Sequence, residues 1–254
     1  MSVFLQIPQN KTSDEVAHQI EELVIEGVLR AGEQLPGERE LAESTGVSRP
    51  VVREAIKLLD TRGLLYKKQG GGTFICNIVG DVFSQPITEV LARHKKATLD
   101  YLEYRREVES IAAGLAAERA TPHDKIMLNE LMERMKIAHE SVDFNEEAEL
   151  DIEFHSLIGE MTHNLILLHT LRACYNLLKQ GIFRNREKLY EIDGRQIMYD
   201  QHVAISDAIL TGDKDAAVKH SNSHMCYILE RSVEVEYQVE RERISNLRFK
   251  QRTK

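Results

Sequence analysis

Asp151 and His155 stand four positions apart in Asp151-Ile152-Glu153-Phe154-His155, so on a helix both side chains leave one face and can share a metal ion. Further ligands must come from later in the chain: His202 in Asp200-Gln201-His202, and one of His220 and His224, themselves four apart. One carboxylate with three neutral imidazoles suits a divalent ion, zinc foremost, with nickel, manganese or iron as alternatives, and leaves coordination open for a small ligand. Any one histidine by itself is more often a hydrogen-bonded core or surface residue. A second set is basic. Arg49 and Arg53 share the face opposite Val52, Ile56 and Leu59. An arginine fork fits the O6/N7 edge of guanine, whereas Ser48 and Lys57 suit phosphate.

These sets need scaffolds. Ser13 or Thr12 caps a first helix over 13–29, with Val16, Ile20, Leu23, Val24 and Val28 on one face. Arg30 to Gly37 holds two glycines and a proline and turns the chain. A second helix from about Glu38 to Ser44 carries Leu41 and Ala42 inward, and after Gly46 a third runs from its cap Ser48 to Thr61. Leu64 to Lys68 and Thr73 to Cys76 are β-prone runs around Gly70-Gly71-Gly72, which predicts a hairpin. Three short helices and a hairpin make a winged helix-turn-helix, in which the third helix enters the major groove.

Residues 77–98, with Gly80 and Pro86, read as a linker holding a short helix around Ile87 to Ala92. From 99 to 235 the pattern is helical throughout, with Leu102, Val108, Ile111 and Leu115, then Met127, Leu131 and Met135, and later Ile205 and Ile209 near helical spacing. Breaks at Thr121-Pro122, Ser141 to Asn145, His163-Asn164, Glu191 to Gly194 and Thr211-Gly212 divide it into about six helices. Residues 236–254 are basic with few apolar anchors and are expected to fray into a tail. The chain is therefore expected to be mainly α: a winged helix-turn-helix over 11–76, a linker over 77–98, an all-α bundle over 99–235 and a basic tail over 236–254.

The net charge of -8 speaks against nucleic acid only as a global sum, because residues 39–68 carry seven basic and four acidic side chains, a local excess of +3. The three cysteines, Cys76, Cys174 and Cys226, are odd in number and far apart, which suits buried thiols in a reducing cytosol. A secretory leader and a membrane span are both unexpected, so the chain is placed in the cytoplasm.

The ordered run Leu35-Pro36-Gly37-Glu38-Arg39-Glu40-Leu41-Ala42, Val47-Ser48-Arg49-Pro50, Val52-Arg53-Glu54-Ala55, Gly63-Leu64-Leu65 and Gln69 to Phe74 resembles the GntR family of winged-helix regulators. The resemblance implies that Arg39, Arg49 and Arg53 touch DNA and that Gly71 is the wing tip. The competing fate of surface arginine is a salt bridge, here to Glu43, Glu54 or a neighbour. Further on, Asp151-x-x-Phe154-His155, His163-Asn164, His202 before Ile205 and Ala208-Ile209, Gly212-Asp213 and His224 resemble the FCD ligand-sensing domain of the FadR subfamily. That likeness selects Asp151, His155, His202 and His224 as metal ligands and leaves His220 outside as an exposed residue. It also places Arg105, from Asp100-Tyr101-Leu102-Glu103-Tyr104-Arg105, and Asn164 at the effector; pairing of Arg105 with Glu109 one turn on is the competing reading. The flavour of Gln69 to Phe74, Thr121-Pro122-x-Asp124-Lys125 and His163 to His169 is similar to lactate-responsive regulators and the pyruvate dehydrogenase complex repressor.

The expectation is a homodimeric transcription regulator, acting as a repressor, that binds pseudo-palindromic double-stranded operator DNA under control of a small carboxylate such as lactate or pyruvate. Two other functions compete. A metalloenzyme would need a general base, and the nearest spare acid, Glu153, points away from Asp151 and His155. An architectural DNA-binding protein without an effector would suit the basic tail but not the acidic body.

Overall fold

The computed structural model describes residues 3, 13–68, 71–77, 89–90, 93–179 and 192–252. Two compact units divide the chain, Met1–Val82 and Phe83–Lys254.

In the first unit, α1 (Ser13–Ile25) buries Val16, Ala17, Ile20 and Val24. It ends earlier than the pattern predicts, and Val28 lies 48% exposed beyond it. The two helices that follow are α2 (Glu38–Thr45) and α3 (Arg49–Thr61); Pro50 sits in the first turn of α3, where its missing N–H costs no hydrogen bond. Val52, Ala55, Ile56 and Leu59 form the buried stripe of α3, so Arg49, Arg53 and Lys57 face outward. Strands β1 (Leu65–Lys67) and β2 (Thr73–Ile75) pair antiparallel with Tyr66 opposite Phe74. Residues 32–35, expected only to turn the chain, also pair with β2: Gly32 N–H donates to the Ile75 carbonyl at 2.9 Å and Leu35 N–H to the Thr73 carbonyl at 2.8 Å. Gly72 closes the wing turn at φ +84, where a Cβ would come within 2.5 Å of Gln34 Nε2. Gln69 and Gly70 lie outside the described residues.

The second unit contains α4 (Lys95–Arg119), α5 (Pro122–Ser141), α6 (Phe144–Met161), α7 (Leu165–Lys179), α8 (Ile192–Thr211) and α9 (Lys214–Arg252). Local side chains mark the helix starts. Thr121 and Asp124 form a reciprocal capping box at α5, Asp143 accepts from the amides of Asn145 and Glu146 at α6, and Asn164 Oδ1 accepts from Leu167 N–H at α7. Leu128, Leu150, Phe154, Met161, Leu171 and Ile205 are fully buried between the helices. Ala112, Ala113, Ala116 and Ala117 are buried in the core, and α4 runs close along α9 at Gly114, where a Cβ would meet Val218 Cγ2 at 2.7 Å.

Several expectations are corrected. Ile111 and Met127 are 57% and 43% exposed, because the buried stripes run through Ala112 and Leu128, one position on. Gly194 is helical, α4 begins at Lys95 inside the expected linker, and the expected short helix at 87–92 falls largely outside the described residues. The expected tail is the helical end of α9 as far as Arg252, where Arg243 grips Glu240 one turn back with bonds of 2.8 and 2.7 Å. Of the cysteines only Cys174 is buried; Cys76 and Cys226 are half-buried, and all three are free thiols. No described helix is long and apolar enough to cross a membrane.

Candidate metal centre and DNA-facing helix

Four side chains converge from three helices. Asp151 and His155 come from one face of α6, His202 from α8 and His224 from α9, and one ligand atom from each lies within 4.8 Å of the others. His202 Nε2 is 3.3 Å from Asp151 Oδ1, and His155 Nε2 is 3.8 Å from the same oxygen. Neighbouring ligands of one ion with bonds of about 2.0–2.1 Å stand roughly 3 Å apart or a little more, a spacing that the Asp151–His202 and Asp151–His155 contacts approach. His202 Nε2 is buried without a hydrogen-bond partner among the described residues, a costly state for a polar atom unless a cation or a water serves it. Burial pushes both His202 and His224 below the ordinary imidazole value, keeping them in the neutral form that can ligate. His220 is half-buried and stands outside the cluster.

A supporting layer aims the imidazoles. His155 Nδ1 faces Glu109 Oε2 at 2.9 Å, and His224 Nδ1 faces Gln201 Oε1 at 2.9 Å. Such partners fix ring orientation and turn the remaining nitrogen toward a metal. Glu109 also accepts from Arg105 Nε at 2.6 Å. Burial raises the Glu109 carboxyl, but Arg105 and then His155 outweigh it and hold it below the usual glutamate value. Arg105 is itself buried, its guanidinium 5.5 Å from the Tyr175 ring and 5.9 Å from that of Tyr101.

Beside the cluster a small, half-open pocket has Asp151 and His202 in its lining. Its other walls are Met135 and His139 from α5, Glu147 from α6, and Arg195, Met198 and Tyr199 from α8. Neither sequence-assigned effector residue lines it: Arg105 is engaged with Glu109, and Asn164 caps α7. The local pairing of Arg105 with Glu109 is thus the arrangement found. Gln201, Glu147 and Arg195 escaped the sequence reading as parts of the site, and Glu109 entered it only as the competing partner of Arg105. Glu109 was visible as the residue one turn after Arg105, whereas nothing local marked Glu147 and Arg195 as neighbours.

In the first unit Arg39, Ser48, Arg49, Arg53, Lys57 and Gly71 are all exposed. Arg53 forks onto Glu38 through Nη2 at 2.8 Å and Nε at 3.2 Å, and Arg39 lies 3.9 Å from Glu43. Glu38 rather than Glu54 is the partner of Arg53, and its hydrogen bond from Arg53 holds the carboxyl below its usual range. Exposed pairs of this kind contribute little, so a phosphate or base edge can take the arginine over. Glu153, the spare acid two positions from Asp151, is tied on the outer side to Arg134 by bonds of 2.7 and 3.0 Å.

The profile described as "Bacterial regulatory proteins, gntR family" matches residues 12–75, and that of the FCD domain matches residues 100–226. A protein of Escherichia coli (strain K12) that carries the name of an L-lactate dehydrogenase operon regulatory protein is 36% identical over 231 residues, covering 86% of this chain and 85% of its own. The Glc operon transcriptional activator of the same organism is 30% identical over 214 residues, covering 83% and 84%. Among solved structures, a Streptococcus agalactiae GntR protein aligns with a TM-score of 0.53 and 25% identity over 86% of this chain and 99% of its own. These relatives are named as regulators, not enzymes. The chain belongs to the gntR family of bacterial regulatory proteins, as a DNA-binding transcription regulator of the FadR-like kind whose C-terminal unit is an FCD domain.

Proposed function

We propose that this regulator is a cytoplasmic homodimeric repressor whose hold on a pseudo-palindromic operator is set by a small 2-hydroxy or 2-oxo acid, bound beside a divalent ion held by Asp151, His155, His202 and His224. The observation that carries the reading is the buried four-ligand cluster opening onto a pocket, with the unsatisfied His202 Nε2 at its centre. The relative named for the L-lactate dehydrogenase operon supports the effector class. When bound, the ion supplies a positive, Lewis-acidic docking point for a carboxylate oxygen. The chain's own contribution is to aim the His155 and His224 rings through Glu109 and Gln201, and to exclude water with Phe154 and Tyr175.

On the DNA side, Arg49 and Arg53 read base edges, Arg39, Ser48 and Lys57 hold phosphate, and the wing presents Gly71. A single small head contacts few phosphates, so two heads on paired half-sites give the affinity a specific regulator needs. An effector moves such a system only through its differential affinity for two arrangements of the protein.

The test is elemental analysis and operator binding on protein purified without chelator. One divalent ion per chain, lost in His155→Ala, with operator affinity that responds to lactate or pyruvate only in metal-loaded protein, is expected. Protein that takes up no ion even after reconstitution refutes the metal site. Loaded protein whose operator affinity ignores every such acid refutes the effector class.

A further inference from the structure

Resting on that reading, we propose that Arg195 is the side chain that receives the effector's carboxylate, with Glu147 as a built-in competitor that sets its affinity, and that the effector is a monocarboxylate.

Three observations converge on Arg195. It lines the same pocket as the ligands Asp151 and His202, whereas Arg105 does not. Its guanidinium is already oriented: Nε donates to Glu147 Oε2 at 3.0 Å, and Nη2 donates to Glu147 Oε1 at 2.6 Å and to the His139 carbonyl at 2.9 Å. The Phe144 ring lies 4.9 Å from the guanidinium carbon. Those bonds use Nε–H and both N–H groups of Nη2, and leave the two N–H groups of Nη1 without a protein partner among the described residues. An arginine held through Nε and Nη2 and open at Nη1 loses little entropy when it receives an anion.

Arg195 stands seven residues, about two helical turns, before His202 on α8, and Glu147 stands one turn before Asp151 on α6. The pair therefore flanks the metal ligands along both helices, and a small acid can meet both. Charge then sets the class of ligand. Glu147 cancels Arg195, and Asp151 cancels half of a divalent ion, so the loaded pocket keeps one positive charge. A monocarboxylate neutralises it, and a dicarboxylate overshoots. Arg105 and Glu109, both buried beneath the site, cancel each other and leave this balance unchanged.

The experiment uses full-length protein loaded with Zn²⁺, with binding of L-lactate, pyruvate and L-malate followed by calorimetry and operator release by fluorescence anisotropy. Arg195→Gln is expected to weaken lactate and pyruvate binding by at least about tenfold, a loss of roughly 1.4 kcal/mol. Glu147→Gln, which removes the competing charge but keeps an acceptor for Nε, is expected to tighten it by several-fold. L-Malate is expected to bind the wild type more weakly than L-lactate. Zinc content and melting temperature of both variants verify that each is folded and loaded. A role of the pair merely in tying α6 to α8 moves both variants in the same direction, and that outcome overturns the assignment, as does wild-type affinity in Arg195→Gln. Tighter binding of malate than of lactate overturns the monocarboxylate class. If the zinc-loaded wild type binds none of the acids, this assignment falls together with the effector reading beneath it; lactate binding that survives in Arg195→Gln sinks this assignment alone.

Discussion

His155 Nδ1 and Glu109 Oε2 lie 2.9 Å apart, with the two side chains only 5% and 3% exposed, and the contact leaves the other edge of the imidazole facing Asp151. Glu109 is in turn held by Arg105 at 2.6 Å, so a buried chain of three side chains from α4 and α6 ends on a member of the four-residue cluster. Glu109→Gln keeps the shape but weakens the acceptor behind His155, and zinc affinity measured by competition with a chelating dye should fall about 10- to 100-fold. Arg105→Ala instead strands a buried carboxylate and should destabilise the protein by about 3–5 kcal/mol in urea unfolding. Unchanged zinc affinity in Glu109→Gln would show that the contact does not position the ring.

On the DNA-facing helix, Arg49 and Lys57 are both exposed but are expected to fail differently. Arg49→Ala should relax preference at one base pair of the operator, a loss of about 1–3 kcal/mol in discrimination. Lys57→Ala should weaken specific and random duplexes alike and lower the salt slope by roughly 1. Fluorescence titrations at several salt concentrations separate the two patterns, and identical behaviour of the two variants would sink the assignment of α3 as the reading helix.

The capping box at the start of α5 makes a pH-dependent contribution. Asp124 Oδ2 accepts from Thr121 N–H at 2.8 Å, from the Thr121 hydroxyl at 2.8 Å and from His163 Nε2 at 2.9 Å. Burial raises the carboxyl, but the Thr121 amide and hydroxyl and then His163 outweigh it, so its folded value is depressed. A depressed acid stabilises fully above its unfolded pKa of about 3.9 and loses that contribution as pH falls through the lower folded value. Asp124→Asn should therefore cost about 1–2 kcal/mol at pH 6, and the difference from wild type should shrink below about pH 4. A cost that stays constant across that range in denaturant titrations would contradict the charged cap.

The wing turn depends on Gly72, whose φ of +84 strains any L side chain. Gly72→Ala should destabilise the first unit by about 1–2 kcal/mol and force Gln34 aside. Thermal melts of the full chain, read alongside operator affinity, check this; an unchanged melt would mean that the turn adopts another conformation.

Much of this molecule is written locally. Val52, Ile56 and Leu59 recur at helical spacing, so the outward face of Arg49 and Arg53 follows from 3.6 residues per turn. Asp151 and His155 share a face for the same reason, and Thr121, Asp143 and Asn164 mark helix starts through bonds to amides two or three residues away. His202 and one of His220 and His224 could be offered as partners of Asp151 from residue type alone, but the choice of His224 was legible only through likeness to a family, since these residues lie on separate helices. Spacing also showed that Arg105 could reach Glu109, but not that their common face turns inward under Tyr101 and Tyr175. Nor could it show that Arg195, 48 residues from Glu147 in the chain, is the arginine at the pocket. Helix periodicity is a property of neighbouring backbone bonds and is carried by the sequence alone. Which faces meet is decided by the packing of distant helices, where a single residue without a side chain, Gly114, leaves the room that Val218 takes between α4 and α9.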